Sequence, residues 1–198
     1  MTKKELRQKL LGYRNSLPES SFKSINRLIV QRLMKLPEIR SSTCIHCYWP
    51  IAGKRELDTT LLIRQLVSEN KRVILPVVEN FDGEAGAGNR MTHRMYEGET
   101  KLVPNRWGIK EPASIKPFPI NRLDVVIVPA LGVDRHGHRL GYGKGFYDEF
   151  LARCECPFIC PVYSKCLLDD IPTMPHDIAV DIIVTEYEVI RVQQTDVT

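Results

Sequence analysis

The sequence has no run of apolar residues long enough to cross a bilayer. Its longest apolar stretch, VVIVPALGV at 125–133, is about half of the roughly 18 residues that a spanning helix needs. An apolar h-region is also missing from the opening MTKKELRQKL, which predicts no signal peptide and a cytoplasmic location. Charge of one sign is scarce: 28 Lys and Arg against 24 Asp and Glu leave +4, spread along the chain. That balance suits an anionic small molecule and excludes nucleic acid or a membrane surface as the expected partner. Internal repeats and long linkers are absent, so residues 1–198 read as a single domain, expected as a monomer. A second metal-ligand pair is missing too. The six cysteines stand at 44, 47, 154, 156, 160 and 166. The CIHC at 44–47 has no partner pair, because CEC at 154–156 has the wrong spacing for a zinc knuckle. It also lies inside the strand-like STCIHCYWP rather than at a helix start, so we read Cys44 and Cys47 as reduced, buried strand residues.

What is present is an ordinary globular composition, 43% hydrophobic and 26% charged. Leu6, Leu10, Tyr13 and Leu17 recur at helical spacing over 3–17, and Pro18 stops that helix. A second helix is predicted from about Ser20 to Leu36, ended by Pro37. TCIHCYW reads as the first core strand, and Asp58 caps a helix reaching Glu69. RVILPVV at 72–78 has the continuous apolar character of a strand covered on both faces. The glycine-rich 79–90 reads as a surface loop leading into a strand at MTHRMY. Four prolines at 104–121 predict no regular structure there. LDVVIVP, FICPVYS and VDIIVTE are the remaining strands, the last being the final one, with a helix expected over Lys144–Arg153. Alternating strands and helices imply an α/β fold with a mostly parallel central sheet and helices on both faces. In such sheets ligands bind at the C-terminal edge of the strands.

RLGYGKGFYDEFL at 139–151 falls at that edge. Gly141, Gly143 and Gly145 lack Cβ atoms, so their amides can approach a ligand closely and form an anion-binding nest. Lys144 and Arg139 add full positive charges, making a triphosphate cradle. It is neither a Walker loop, which needs four residues before its GK[ST], nor a dinucleotide fingerprint. Asp148, one turn after Lys144 on the expected helix, is a partial ligand for Mg²⁺. The plainer reading gives Asp148 a helix-stabilising role and the glycines a tight turn. Lys3, Lys4 and Arg7 read as a solvated helix end. Glu56 follows the first strand at the ligand edge, Trp107 is a pocket residue or a core plug, and Asp177 precedes the last strand beside a structural His176.

These pieces resemble the 5-formyltetrahydrofolate cyclo-ligase family. The carrying stretch is VPALGVDRHGHRLGYGKGFYDEFL at 128–151. KKELR, the REL and Asp-Thr around Glu56, LP at 75–76, NRWGIKEP at 105–112 and HDIAVDIIVTE at 176–186 support it in order along the chain. The resemblance implies an enzyme that uses ATP and Mg²⁺ to convert 5-formyltetrahydrofolate to 5,10-methenyltetrahydrofolate with release of ADP and phosphate. It implies Lys144, Arg139 and Tyr147 as catalytic groups. ATP contacts would come from Lys3, Lys4, Glu5, Leu6 and Arg7, and from Arg139, Leu140, Gly141, Tyr142, Gly143, Lys144, Gly145, Phe146 and Tyr147. Folate contacts would be Glu56, Trp107 and Tyr147, and metal ligands Asp148 and Asp177. Phe146 stands where the family commonly has tyrosine, which removes a hydroxyl. A non-catalytic nucleotide- or folate-binding module, or a sugar-phosphate enzyme of similar architecture, remains as an alternative.

Overall fold

The computed structural model describes residues 1–79, 90–114 and 116–193. The glycine-rich loop expected at 79–90 therefore lies, except for its two end residues, outside the described residues.

Helix α1 (Lys3–Ser16) begins with a capping box: the Glu5 N–H donates to Thr2 Oγ1 at 3.3 Å, and the Thr2 N–H donates to Glu5 Oε2 at 2.7 Å. It buries Leu6, Leu10 and Arg14. Helix α2 (Glu19–Leu33) buries Ile29, Val30 and Leu33. Pro37 does not simply terminate it. Proline is preorganised for a first helical turn, and Pro37 opens a separate short helix, α3 (Pro37–Ser41). Strand β1 (Cys44–His46) is followed by helix α4 (Thr60–Ser68), whose Thr60 N–H donates to Asp58 Oδ1 at 3.0 Å. Then come β2 (Arg72–Glu79), β3 (Arg90–Tyr96), β4 (Leu102–Pro104), β5 (Lys110–Pro112), β6 (Val125–Ile127), β7 (Gly132–Asp134) and β8 (Arg139–Leu140). Helix α5 (Phe146–Leu151), β9 (Phe158–Pro161), β10 (Leu167–Leu168), β11 (Ile182–Val184) and β12 (Val189–Arg191) complete the chain.

The central sheet runs β12-β11-β9-β6-β1-β2-β3. Its five inner strands are parallel, and β12 and β3 close the two edges antiparallel. The inner strands are buried throughout at Cys44–His46, Val125–Ile127, Phe158–Pro161 and Ile182–Val184. Two carboxylates fix strand starts. Asp124 Oδ2 accepts from the N–H groups of Thr43 and Cys44, both at 2.8 Å, and Asp181 Oδ2 accepts from the Phe158 N–H at 2.7 Å.

Three expectations need correction. VDIIVTE is not the last strand, because a turn at 185–188 returns the chain as β12. The proline-rich segment is not irregular, because β4 and β5 pair as a hairpin with prolines only at strand ends, where a lost N–H costs little. The helix after the glycines starts at Phe146 rather than Lys144, because Gly145 sits left-handed at its N-cap with φ 74°.

Candidate active site

A cavity of about 720 Å³ opens at the C-terminal edge of the parallel strands, within the size range of small-molecule sites. The loop after β1 brings Tyr48, Trp49 and Glu56 to it, and the loop after β6 brings Pro129 and Ala130. The hairpin β4–β5 adds Trp107 and Glu111, and α1 adds Lys3, Arg7 and Leu11. Arg139 through Asp148 form one wall, and His176 and Asp177 stand beside it.

The glycine wall is shaped by contact with α1. Arg7 Nε donates to the Gly141 carbonyl at 2.9 Å. Gly143 has φ 82°, and a Cβ there would sit 2.9 Å from Arg7 Nη2, so a side chain meets both strain and a guanidinium. Lys144 is exposed in this loop, ahead of α5.

Both aspartates expected to hold metal are paired with cations. Arg139 Nη2 donates to Asp148 Oδ1 at 2.7 Å, and Lys3 Nζ donates to Asp177 Oδ2 at 2.5 Å. They converge, since Asp148 Oδ1 also accepts from the N–H of Ile178, the neighbour of Asp177, at 3.2 Å. Partial burial raises the Asp177 pKa, but Lys3 and the Met174 N–H more than offset this and hold it below the ordinary carboxylate value.

The remaining lining is built differently. Glu56 is 5% exposed. Burial pushes its pKa up, against the Ile51 N–H donating to Oε2 at 2.9 Å and the positive charge of Arg14. Trp107 is 39% exposed, lies under the Arg106 guanidinium, and meets the Phe146 ring at 6.3 Å. It is a cavity residue, not a core plug. Glu111, also raised by burial, accepts from the Val78 N–H and from Asn105 Nδ2. Tyr147 turns its hydroxyl into the protein, buried and without a hydrogen-bond partner among the described residues, beside His46 at 6.2 Å between rings. Its ring is what it offers the cavity.

A family model described as the 5-formyltetrahydrofolate cyclo-ligase family matches residues 1–186. The chain belongs to the 5-formyltetrahydrofolate cyclo-ligase family. It is 35% identical to the 5-formyltetrahydrofolate cyclo-ligase of Mycolicibacterium smegmatis, over 93% of each chain. The Escherichia coli cyclo-ligase is 33% identical, over 89% of this chain and 96% of its own. The solution structure of Aquifex aeolicus 5,10-methenyltetrahydrofolate synthetase superposes with a TM-score of 0.83 at 32% identity, covering all of this chain and 96% of that one.

Against that cyclo-ligase frame, most expected site residues gather on one cavity: Lys3, Arg7, Glu56, Trp107, Arg139 through Asp148, and Asp177. Three of the expected ATP contacts do not. Lys4 is exposed away from the lining, Glu5 is occupied in the capping box, and Leu6 packs into the core, because a helix presents only about every fourth residue to one side. Sequence reasoning passed over Trp49, Glu111 and Arg14. Arg14 had a visible signal: it continues the Leu6–Leu10 spacing by four, where a charge on an apolar stripe is out of place.

Proposed function

We propose that this protein catalyses the ATP- and Mg²⁺-dependent conversion of 5-formyltetrahydrofolate to 5,10-methenyltetrahydrofolate, with ADP and phosphate as co-products. The observation that carries this is a single cavity lined by a cationic glycine wall together with a buried carboxylate and aromatic rings. The first suits a triphosphate. The second suits a flat heterocycle with N–H donors, since a carboxylate can accept two such bonds.

In this reading the formyl oxygen attacks the γ-phosphorus and ADP leaves. The N10 amine then closes on the formyl carbon, the C–O bond breaks so that phosphate departs with the former formyl oxygen, and the N10 proton is lost to solvent. Such a transfer needs in-line placement and neutralisation of charge rather than a protein nucleophile. Lys144 and Arg139 neutralise the transferring phosphoryl group, the loop amides hold the phosphates, and Glu56 fixes the pterin, with Trp107, Phe146 and the Tyr147 ring enclosing it. Asp148 and Asp177 fit as Mg²⁺ ligands because both are carboxylates that converge at the phosphate wall. The metal would supply charge neutralisation between phosphate oxygens. No group of three or more metal-ligating side chains exists among the described residues.

The test is to mix protein, MgATP and 5-formyltetrahydrofolate and follow methenyl absorbance together with ADP. ADP without methenyl product, or binding without either, supports a non-catalytic module instead. Trp107→Ala should raise the KM for folate more than that for ATP, with the melting temperature nearly unchanged. An equal rise in both constants counts against a folate contact.

A further inference from the structure

We propose that Cys154 and Cys156 form a redox-active dithiol, in which Cys154 attacks low-molecular-weight disulfides and Cys156 then closes a Cys154–Cys156 bond. The pair lies at the N-terminal edge of the parallel strands, away from the cavity, so the inference is independent of the function proposed above.

The six cysteines fall into two groups. Cys44, Cys47, Cys160 and Cys166 are fully buried. Burial raises each of these thiols, to about 11 for Cys44 and Cys166 and to about 12 for Cys47 and Cys160. Cysteines of that kind are inert packing groups. Cys154 and Cys156 are instead half-buried, on either side of the exposed Glu155. Both line an open hollow of about 530 Å³, together with Glu38, Phe158, Asp181 and Arg191. The hollow forms where α5 ends and β9 begins: the Cys154 N–H donates to the Leu151 carbonyl at 3.0 Å, and Phe158 opens the strand. Between these points the chain is neither helix nor strand, and it bends at Cys156. Two residues apart, the Cα atoms are separated by at most about 7 Å. A disulfide takes about 4.4–6.8 Å, so the bond needs little movement of the backbone.

The two side chains also hydrogen-bond to each other, with Cys156 as donor, and Cys154 Sγ reaches the Phe150 carbonyl at 3.5 Å. The bond from Cys156, helped by the Arg153 charge, lowers the Cys154 pKa although burial opposes it. The same bond, with burial, raises that of Cys156. The thiolate is the nucleophile in disulfide exchange, so the two cysteines take different parts. The Cys154 thiolate attacks one sulfur of a small disulfide RSSR, forming a mixed disulfide and releasing one RS⁻. Cys156 then loses its proton to water and attacks Cys154 Sγ, which closes the protein disulfide and releases the second RS⁻. The dithiol is oxidised by two electrons. RSSR is reduced to two RSH, which take up the two protons that the cysteines lost.

The experiment treats the reduced, folded full chain with 2-hydroxyethyl disulfide near neutral pH, quenches with acid, alkylates the remaining thiols in denaturant and maps peptides by mass spectrometry. Cys160 shares a tryptic peptide with the pair, so fragment ions assign the bond. A Cys154–Cys156 disulfide should form while Cys44, Cys47, Cys160 and Cys166 are recovered alkylated. Cys156→Ser should stop at a mixed disulfide on Cys154, formed at close to the parent's rate because the serine hydroxyl can still donate to Cys154. Cys154→Ser should react at Cys156 about tenfold more slowly than that, or slower still. A parent that stays reduced, that carries hydroxyethylthio groups on both cysteines without closing, or that reacts first at one of the four buried cysteines overturns the proposal. Equal rates in the two variants overturn it too, because Cys154 is then not the attacking thiol. If either variant fails to fold, the peptide map of the parent decides: closure of the pair ahead of every buried cysteine supports the proposal, and any other pattern refutes it.

Discussion

Lys144 stands exposed on the cavity wall. A surface lysine without partners contributes little to stability, whereas a charge meeting the transferring phosphoryl group is worth a few kcal/mol in the transition state. Lys144→Ala should lower kcat about 100-fold or more with an unchanged melting curve. Activity within twofold of the parent removes it from the chemistry. His46 and His93 behave in the opposite way. They lie 5.1 Å apart between ring centres, are buried, and have all four ring nitrogens unpartnered among the described residues. Burial, and then Arg153 and Arg94, lower His93 to about 4, and burial lowers His46 well below 6.5. The folded state thus binds fewer protons than the unfolded one. Stability is complete above the unfolded value of 6.5 and is lost as pH falls toward the folded one. His93 alone should cost about 2 kcal/mol by about pH 5. A variant with both histidines changed to leucine should show a flatter melting temperature between about pH 6.5 and 5. Parallel curves would count against this account. Neither role was equally visible in sequence. Lys144 is legible as a cavity residue because it stands among closely spaced glycines. His46, Glu111 and Arg14 depend on burial, which tertiary packing decides.

At the scale of elements, the glycine wall is the clearest case of local sequence dictating site shape. Gly143 combines a positive φ with Arg7 within 2.9 Å of any added Cβ. Gly143→Ala should therefore push the Arg7 guanidinium off the Gly141 carbonyl and raise the KM for ATP severalfold, with a stability loss of about 1 kcal/mol. Unaltered ATP kinetics would show that the wall tolerates rearrangement. Alternation and apolar runs made the parallel core readable, since β6, β9 and β11 are each continuous apolar stretches. The hairpin β4–β5 was not, because its pairing depends on contacts across the turn at 105–109, where Asn105 Oδ1 accepts from the N–H groups of Trp107 and Ile109. Proline content alone hides such side-chain closure. Strand β12 was missed for a related reason: its three residues are covered only from one side.

For the molecule as a whole, the two cation–carboxylate pairs predict the order in which ligands stabilise it. Asp148 and Asp177 are already neutralised by Arg139 and Lys3, so Mg²⁺ alone offers little. In the proposed reading, bound ATP would draw both cations toward phosphate and free the carboxylates. Mg²⁺ without nucleotide should leave the melting temperature unchanged, while ATP and Mg²⁺ together should raise it by more than ATP alone. Asp148→Asn and Asp177→Asn should each reduce that extra rise. An equal rise with Mg²⁺ alone would show a preformed metal site.

Helix α1 carries Lys3, Arg7 and Arg14, whose partners are Asp177, Gly141 and Ala130. The ribosome releases α1 before these partners, which follow more than a hundred residues later. The helix must therefore wait through most of translation with a buried arginine and an apolar stripe unanswered. Any nascent chain halted before residue 177 can pair its early strands but cannot close the cavity, so ligand binding is acquired only after residue 177 has been made.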